Sequence, residues 1–351
     1  MEFVYQVMPS RVVFGAGTLG RVPEETERLG AGRALIVTTP SQREAAHGVG
    51  RTLGQRLAGL TDRVAMHVPV DVARAGCAEA ERLGADGLIA LGGGTAIGLA
   101  KAIALEHGLP ILAVPTTFAG SEMTDVVGIT EGGVKRTRKD PRILPRTVIY
   151  DPELVQALPA AIAGPSGMNA IAHAVEALWA ERVNPFTSVM AEDAIRRLGR
   201  ALPAIVRAPD RPGPRSDALL GAWLAGACLG SVGMAIHHKL AHVLGGSFDL
   251  PHAQTHTILL PYTTAYNRAA APDALAAIAR ALDHRDAPTA LYELIRTIGA
   301  PGSLRELGLG EGALGRAVAI ALEHPFYNPA PVTDAGLRRL LDDAFHGRPP
   351  S

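Results

Sequence analysis

The hydrophobic pattern of this chain changes period near residue 157, and that change constrains its layout more than any single motif. Upstream, short β-rich apolar runs at 34–38, 63–68, 87–91, 110–114 and 147–150 alternate with helical patterns at 41–57, 72–83 and 95–107. Ser41 is a candidate N-cap for the first of these helices. Strands alternating with helices predict a parallel sheet covered on both faces. Gly128, Gly132 and Gly133 supply turn chemistry and predict a hairpin over 126–138. Downstream the chain is Ala- and Leu-rich with almost no period-two alternation. It predicts helices at 166–181, 186–200, 215–230, 234–244, 253–269, 273–283, 286–297, 312–323 and 335–346. The expectation is an α/β domain over 1–156 and an all-helical domain over 157–351. A Pro-containing hinge, 151–165, would join them, with the active site in the cleft between.

The stretch from Ser231 to Leu260 carries the densest chemistry. His238 and His242 are four apart in a helical pattern, so they share a face. Gly245 and Gly246 are expected to stop that helix, and a loop ending in Pro251 delivers His252. His237 projects about 100° around the helix from His238 and is expected to fall outside the cluster. Asn169 and His173 form a further pair at helical spacing. Neutral imidazole is the commonest metal ligand, and imidazole is also the proton donor best matched to neutral pH. Buried structural histidines would show the same letters.

Gly92, Gly93, Gly94 and Thr95 follow a strand and open a helix. Glycines let the backbone approach a phosphate, and a helix N-terminus offers N–H groups and a positive dipole end. Thr95 would cap this helix and add a hydroxyl. The pattern is not GxGxxG, and a tight turn without a ligand would also use three glycines. Its place at a strand's carboxyl end favours the ligand. A second loop, 115–124, brings Thr116, Thr117, Ser121 and Thr124, hydroxyls suited to ribose, phosphate or nicotinamide; capping by Ser121 and Thr124 would account for two. After the first strand stand Thr38 and Thr39, with no acid to repel a 2′-phosphate, so both NADH and NADPH are expected to bind.

A formal net charge of zero gives no electrostatic reason to expect nucleic acid or an anionic membrane as partner. Cys77 and Cys228 are too few for a disulfide framework and lack the CxxC pattern. No signal peptide and no run of 18 uncharged apolar residues is seen, so the cytoplasm is expected.

Together these pieces resemble the iron-containing (group III) alcohol dehydrogenase family. The resemblance runs through Phe14-Gly15-Ala16-Gly17, the GGGT loop, PTTFAGSEMT, the stretch from Ile129 to Pro152, GMNAIAHAVEALWA from Gly167, HHKLAHVLGG with PHAQ, and HPFYNPAPV from His324 to Val332. It implies the dehydroquinate synthase-like fold, a dinucleotide-binding domain followed by a helical catalytic domain, and a homodimer. The positions that hold iron in metal-dependent members fall on Asn169, His173, His238 and His252. A neutral amide thus replaces the family's acid. The loop pattern GGGSxxDxAK becomes GGGTAIGLAK, with Gly98 where an acid would stand. Both departures match members that reduce a C=C bond of a dicarboxylate without a metal.

That implied chemistry adds hydride from NADH or NADPH to the carbon β to a ketone, and a proton to the α-carbon. His242 and His252 are the expected acid and oxyanion partners, with His173 and His238 lining the same pocket. Lys135 matches a family lysine near the nicotinamide. Lys101, Arg136, Arg138, Lys139 and Lys239 are further candidates for holding carboxylates. Rival readings are a metal-dependent alcohol dehydrogenase, a dehydroquinate-synthase-like lyase and a non-catalytic binding protein. The missing acid argues against the first two, and the retained histidines and loops against the third.

Overall fold

The structure is a computed structural model that describes every residue except 1, 2, 4, 6–9 and 133, and every side chain among these except those of Val134 and Lys135. The chain forms two compact units. One is Met8–Leu158; the other is Pro159–Ser351 together with Met1–Val7.

The first unit holds β1 (Arg11–Phe14), α1 (Val22–Arg28), β2 (Ala34–Thr38), α2 (Arg43–Leu53), β3 (Leu57–Thr61), α3 (Val70–Arg82), β4 (Gly87–Gly92), α4 (Gly94–His107), β5 (Ile111–Pro115), β6 (Val126–Glu131), β7 (Val134–Lys139) and β8 (Thr147–Tyr150). Six strands form one sheet in the order β1-β8-β5-β4-β2-β3, and every pairing in it is parallel. β2, β4, β5 and β8 are buried along their whole length. Such strands read as continuous apolar runs because helices cover both faces. The order reverses between β2 and β4: the chain leaves β2 for the edge strand β3, then returns to the other side. Ligands of open α/β sheets bind at the carboxyl ends beside such a reversal. β6 and β7 form the separate antiparallel hairpin expected over 126–138.

Three local expectations fail here. The strand expected at 63–68 lies instead at Leu57–Thr61. Gly54, at φ 55°, ends α2 early, and His67 and Val68 take positive φ values of 60° and 45°, which bend the chain away from the sheet. Gly59 admits Leu83 against β3, where a Cβ would come within 2.6 Å of its Cδ1. Ser41 caps nothing; it sits in a short 3₁₀ turn, its hydroxyl 3.1 Å from that of Thr39. β1 was not foreseen, since only four residues of it pair, with β8.

The second unit is built from helices: α5 (Ala160–Ala177), α6 (Pro185–Arg207), α7 (Pro212–Ser231), α8 (Ile236–Phe248), α9 (His252–Tyr266), α10 (Pro272–Ala281), α11 (Ala287–Thr297), α12 (Leu314–Leu322) and α13 (Asp334–His346). α8 and α9 pack with α12 and α13 around Leu240, Leu244, Ile258, Leu259, Leu337 and Leu341. Gly245 and Gly246 do not stop α8, which runs three residues past Gly245. It ends where Asp249 turns left-handed at φ 54° and donates its N–H to the Leu244 carbonyl. Packing outweighs the cost of roughly 1 kcal/mol per glycine in a helix interior. Among the described residues no single helix is long and apolar enough to cross a membrane.

Candidate active site

Three helices of the second unit supply one polar cluster. α5 places Asn169, His173 and Glu176 at i, i+4 and i+7, on one face of an otherwise apolar helix. α8 supplies His237, His238 and His242, and α9 supplies His252 and His256. The His173 and His238 rings stack at 5.1 Å between centroids, and His238 lies 4.8 Å from His256. His252 is 4.4 Å from His256 and 6.3 Å from His242.

Glu176 organises this cluster, although the sequence reading passed over it. Its buried carboxylate accepts the Ala235 N–H at 2.9 Å, the His237 N–H at 2.7 Å and the His238 N–H at 3.4 Å. Those groups open α8, whose N-cap Ala235 has no side chain to satisfy them. A negative charge there also meets the positive end of the helix dipole. The other function of Glu176 is to hold His238 Nδ1 at 2.7 Å. Burial pushes its carboxyl up, but the His238 hydrogen bond, the His238 and His237 charges and the Ala235 N–H together hold it below the usual range. It is therefore ionised and accepts only, so His238 carries its proton on Nδ1.

His237 belongs to the cluster, against expectation. The 100° offset points it at α9 rather than at solvent: Nδ1 is 3.0 Å from Thr263 Oγ1 and Nε2 is 2.8 Å from His256 Nδ1. His256 was missed, though it repeats on α9 the i, i+4 spacing that singled out the other pairs.

The cluster is graded in burial. His173, His237, His238 and His256 are buried; His252 is half-buried and His242 is exposed. Burial, aided by the charges of the neighbouring histidines, pushes His173 and His256 well below the ordinary imidazole range. Burial pulls His237 down to about 3, with the His238 charge reinforcing it and Glu176 opposing. Those three rings are neutral at pH 7, while His242 and His252 are the ones a solvent-borne substrate can reach.

The donor set is mixed for a divalent cation: the buried His173 Nδ1, His238 Nε2 and His256 Nε2 have no hydrogen-bond partner and could face one, but a carboxylate is missing. The four family positions offer three imidazoles and a neutral amide, without the carboxylate that offsets the ion's charge. The nearby carboxylate, Glu176, is committed to His238 and to the start of α8. His237, His238 and His256 bring nitrogens within 4.8 Å of one another, but His237 has both of its own engaged. Gly98 is equally unsuited to an acid, since its Cβ would come within 2.8 Å of Val68 Cγ2.

In the first unit, the loops after β2, β4 and β5 converge at the sheet's carboxyl end. Gly92 takes φ 152°, and a Cβ there would meet Ala96 at 2.9 Å and Thr39 at 3.3 Å; one on Gly93 would meet Thr117 at 3.0 Å. Gly93 is the N-cap of α4 and makes no side-chain bond, so Thr95 is not the cap; it lies one residue inside the helix. Gly94 and Thr95 thus open α4, where backbone N–H groups have no carbonyl behind them. Thr38 donates to the Leu91 carbonyl at 2.9 Å and serves structure. Thr116 is buried, its N–H on the Gly92 carbonyl at 3.2 Å.

Lys101 is a strut for this region and is not available to a substrate. It is fully buried, and its ammonium meets the carbonyls of Ser121, Thr124 and Val126 and the Thr124 hydroxyl at 2.6 to 3.0 Å. Burial pulls it down to about 7, while the charges of Glu122 and Asp125 oppose that shift. Thr124 is thereby committed as well, and Ser121 caps nothing with its side chain. Arg136 and Arg138 are exposed on β7, and Lys139 lies 4.0 Å from Asp125. Lys135 pairs through its backbone with Thr130, and its side chain lies outside the described set. Lys239, on α8, rests over the Phe326 ring at 5.7 Å.

The family model for iron-containing alcohol dehydrogenase matches residues 9–152, and the model described as "Fe-containing alcohol dehydrogenase family, C-terminal" matches 163–345. The chain belongs to the iron-containing alcohol dehydrogenase family. It is 49% identical to the maleylacetate reductase of Pseudomonas knackmussii over 351 residues, covering all of both chains. The crystal structure of maleylacetate reductase from Agrobacterium tumefaciens superposes with a TM-score of 0.96 at 46% identity, again over the full length of both. The sulfoacetaldehyde reductase of Bifidobacterium kashiwanohense, solved in complex with NAD+, shares the fold at 24% identity and a TM-score of 0.89, over 98% of this chain and 99% of its own.

Proposed function

We propose that this protein reduces the C=C bond of maleylacetate to give 3-oxoadipate, a step in the breakdown of aromatic compounds, using NADH or NADPH and no metal ion. The end-to-end identity of 49% to a maleylacetate reductase carries this reading. Asn169 and the committed Glu176 favour the metal-free version of it.

The nucleotide phosphates bind where Gly92, Gly93, Gly94 and Thr95 open α4, with Thr39, Thr116, Thr117 and Ser121 beside the ribose and nicotinamide. Thr38 shapes the floor of that site. No acid follows β2, so a 2′-phosphate is tolerated. Lys135 stands near the nicotinamide, as the family resemblance implies. Hydride adds to the alkene carbon β to the ketone, and the electron pair moves onto the ketone oxygen as an enolate. His252 and His242 stabilise that oxygen and deliver one proton to the α-carbon, which solvent then restores through the exposed His242. His173 and His238 shape the inner wall. Lys239 and the β7 arginines are candidates for the two carboxylates. The protein acts as a homodimer.

Deuterium at C4 of the reduced nicotinamide tests the route. The proposal requires the label on the 3-oxoadipate carbon β to the ketone, with either NADH or NADPH as donor. Label on a carbinol carbon would instead make the protein an alcohol dehydrogenase.

A further inference from the structure

Lys239 is a half-buried cation without a counter-ion: among the described residues its ammonium forms no ion pair and no hydrogen bond. What the fold sets against it is the face of Phe326, 5.7 Å from Nζ to the ring centroid. At that distance the ring quadrupole attracts a cation, yet it leaves the ammonium's donors open. A helix turns about 100° per residue, so on α8 His242 lies about 40° around from His238 and Lys239 about 100° around in the same sense. His242, the exposed ring of the cluster, therefore stands between the buried His238 and the lysine. Lys239 is also three residues before His242, one turn away along the same face.

The ring has its own supports. Phe326 lies in 323–333, the segment between α12 and α13, where Pro325, Pro329 and Pro331 each fix a backbone angle. The half-buried Phe326 and Val332 pack against the core formed by α8, α9, α12 and α13. Asn328 and the buried Asn267, just past the end of α9, exchange two amide hydrogen bonds of 2.8 and 3.1 Å. Asn267 Oδ1 also accepts the Ala330 N–H at 3.2 Å. The Tyr266 hydroxyl donates to the Pro331 carbonyl at 2.9 Å and accepts the Thr333 N–H at 3.2 Å. This clamp seats the segment on α9 and the Phe326 ring beside α8.

We propose that Lys239 is a specificity-determining residue that binds one carboxylate of the dicarboxylate substrate, with Phe326 as the positioning residue that aims its ammonium. The inference rests on the proposed reduction, which supplies the dicarboxylate. An unpaired cation one turn from His242 can grip a carboxylate while the rest of the substrate lies against the imidazole.

Two substitutions and their combination test it. Lys239→Met keeps the apolar stem and removes the charge. It should raise the maleylacetate KM by about 10-fold to 10²-fold, with the NADH KM and the melting temperature kept. Phe326→Leu stays apolar and loses the ring face; it should raise the same KM by about 2-fold to 5-fold, and Phe326→Tyr should recover at least part of that. On the Lys239→Met background Phe326→Leu should add nothing, because the ring acts through the ammonium. A purely structural pair predicts lower melting temperatures at an unchanged maleylacetate KM. That result for Lys239→Met overturns the proposal, and additive KM effects overturn the positioning role of Phe326. If Phe326→Leu fails to fold, Phe326→Met takes its place with the same predictions.

Adipate, a dicarboxylate with neither ketone nor alkene, reads the site without turnover. By calorimetry in the presence of NAD+, wild-type protein should bind it at least about 10-fold more tightly than Lys239→Met does. Equal affinity, or no binding by either, overturns the proposal. If wild-type protein does not reduce maleylacetate while adipate still distinguishes the two proteins, the proposed function has failed and the carboxylate site has not.

Discussion

Three buried, neutral histidines make this protein uptake protons when it unfolds in mild acid. His173, His237 and His256 stay uncharged in the folded chain, since burial holds all three below the ordinary range, His237 at about 3. In the unfolded chain each returns to a value of about 6.5. A base with a depressed folded value costs nothing above pH 6.5 and destabilises increasingly as pH falls from there towards the folded value, because only the unfolded state binds the proton. At pH 5.5 each unfolded imidazole is about nine-tenths protonated and at pH 7.5 about one-tenth, so the three histidines take up roughly 2.7 protons on unfolding at the lower pH and about 0.3 at the higher; Lys101, at about 7 in the folded chain, adds about 0.8 at pH 7.5, and Glu122, whose folded carboxyl is raised by burial, releases up to about one at pH 5.5. The stability lost across this window is about 1.4 kcal/mol per histidine, or about 4 kcal/mol for the three. Glu176 works in the same direction, since its folded value is lowered, but only as pH falls below the ordinary carboxylate range, outside the window. The assay is potentiometric: protein is mixed into unbuffered urea at pH 5.5 and at 7.5, and the protons consumed are counted. A net uptake of less than about one proton at pH 5.5 would refute the claim that the cluster is neutral.

His242→Ala should lower kcat by roughly 10²–10⁴-fold with the melting temperature kept, because the side chain is exposed and alanine suits a helix; His237→Ala should instead lose about 2–4 kcal/mol of stability, from the cavity and the stranded His256 Nδ1. Steady-state kinetics and melts on both variants check this pair, and a loss of rate at His242 that merely tracks unfolding would contradict it. Lys101→Met should raise the NADH KM and cost about 1–3 kcal/mol, by freeing the 121–126 backbone and leaving its buried carbonyls unpaired, as NADH titration and urea denaturation would show. Gly98→Asp, which restores the family's acid, should destabilise by about 1–3 kcal/mol through the Val68 contact, and a melt unchanged from wild type would count against that packing.

The layout was legible because both units announce themselves by period: fully buried parallel strands read as apolar runs, and α5 to α13 read as long helical patterns. The boundary errors have local causes. Nothing in the letters says that His67 and Val68 adopt left-handed backbone, or that α8 runs on through Gly245 and Gly246 with Leu244 and Leu250 buried in the core on either side. At the site, helical spacing found the pairs 169/173 and 238/242, and the same rule applied to His252 would have found His256. Glu176 also left a signal, as the lone charged residue between Ala160 and Ala180. What no spacing could reveal is that its carboxylate caps a different helix, or that the 100° offset of His237 points it at α9. Those facts depend on how α5, α8 and α9 pack. Lys101 was misjudged for the same reason: a lysine in an apolar helix face reads as a ligand anchor until the loop it pins is in place.

The central claim is that NADH-dependent reduction of maleylacetate proceeds here with no metal ion. The direct measurement is NADH consumption with maleylacetate before and after exhaustive chelation, on protein assayed for metal by elemental analysis. The account predicts turnover with far less than one metal per chain and the same kcat after chelation. One equivalent of iron or zinc per chain, with activity abolished by chelation and restored by the ion, would contradict it.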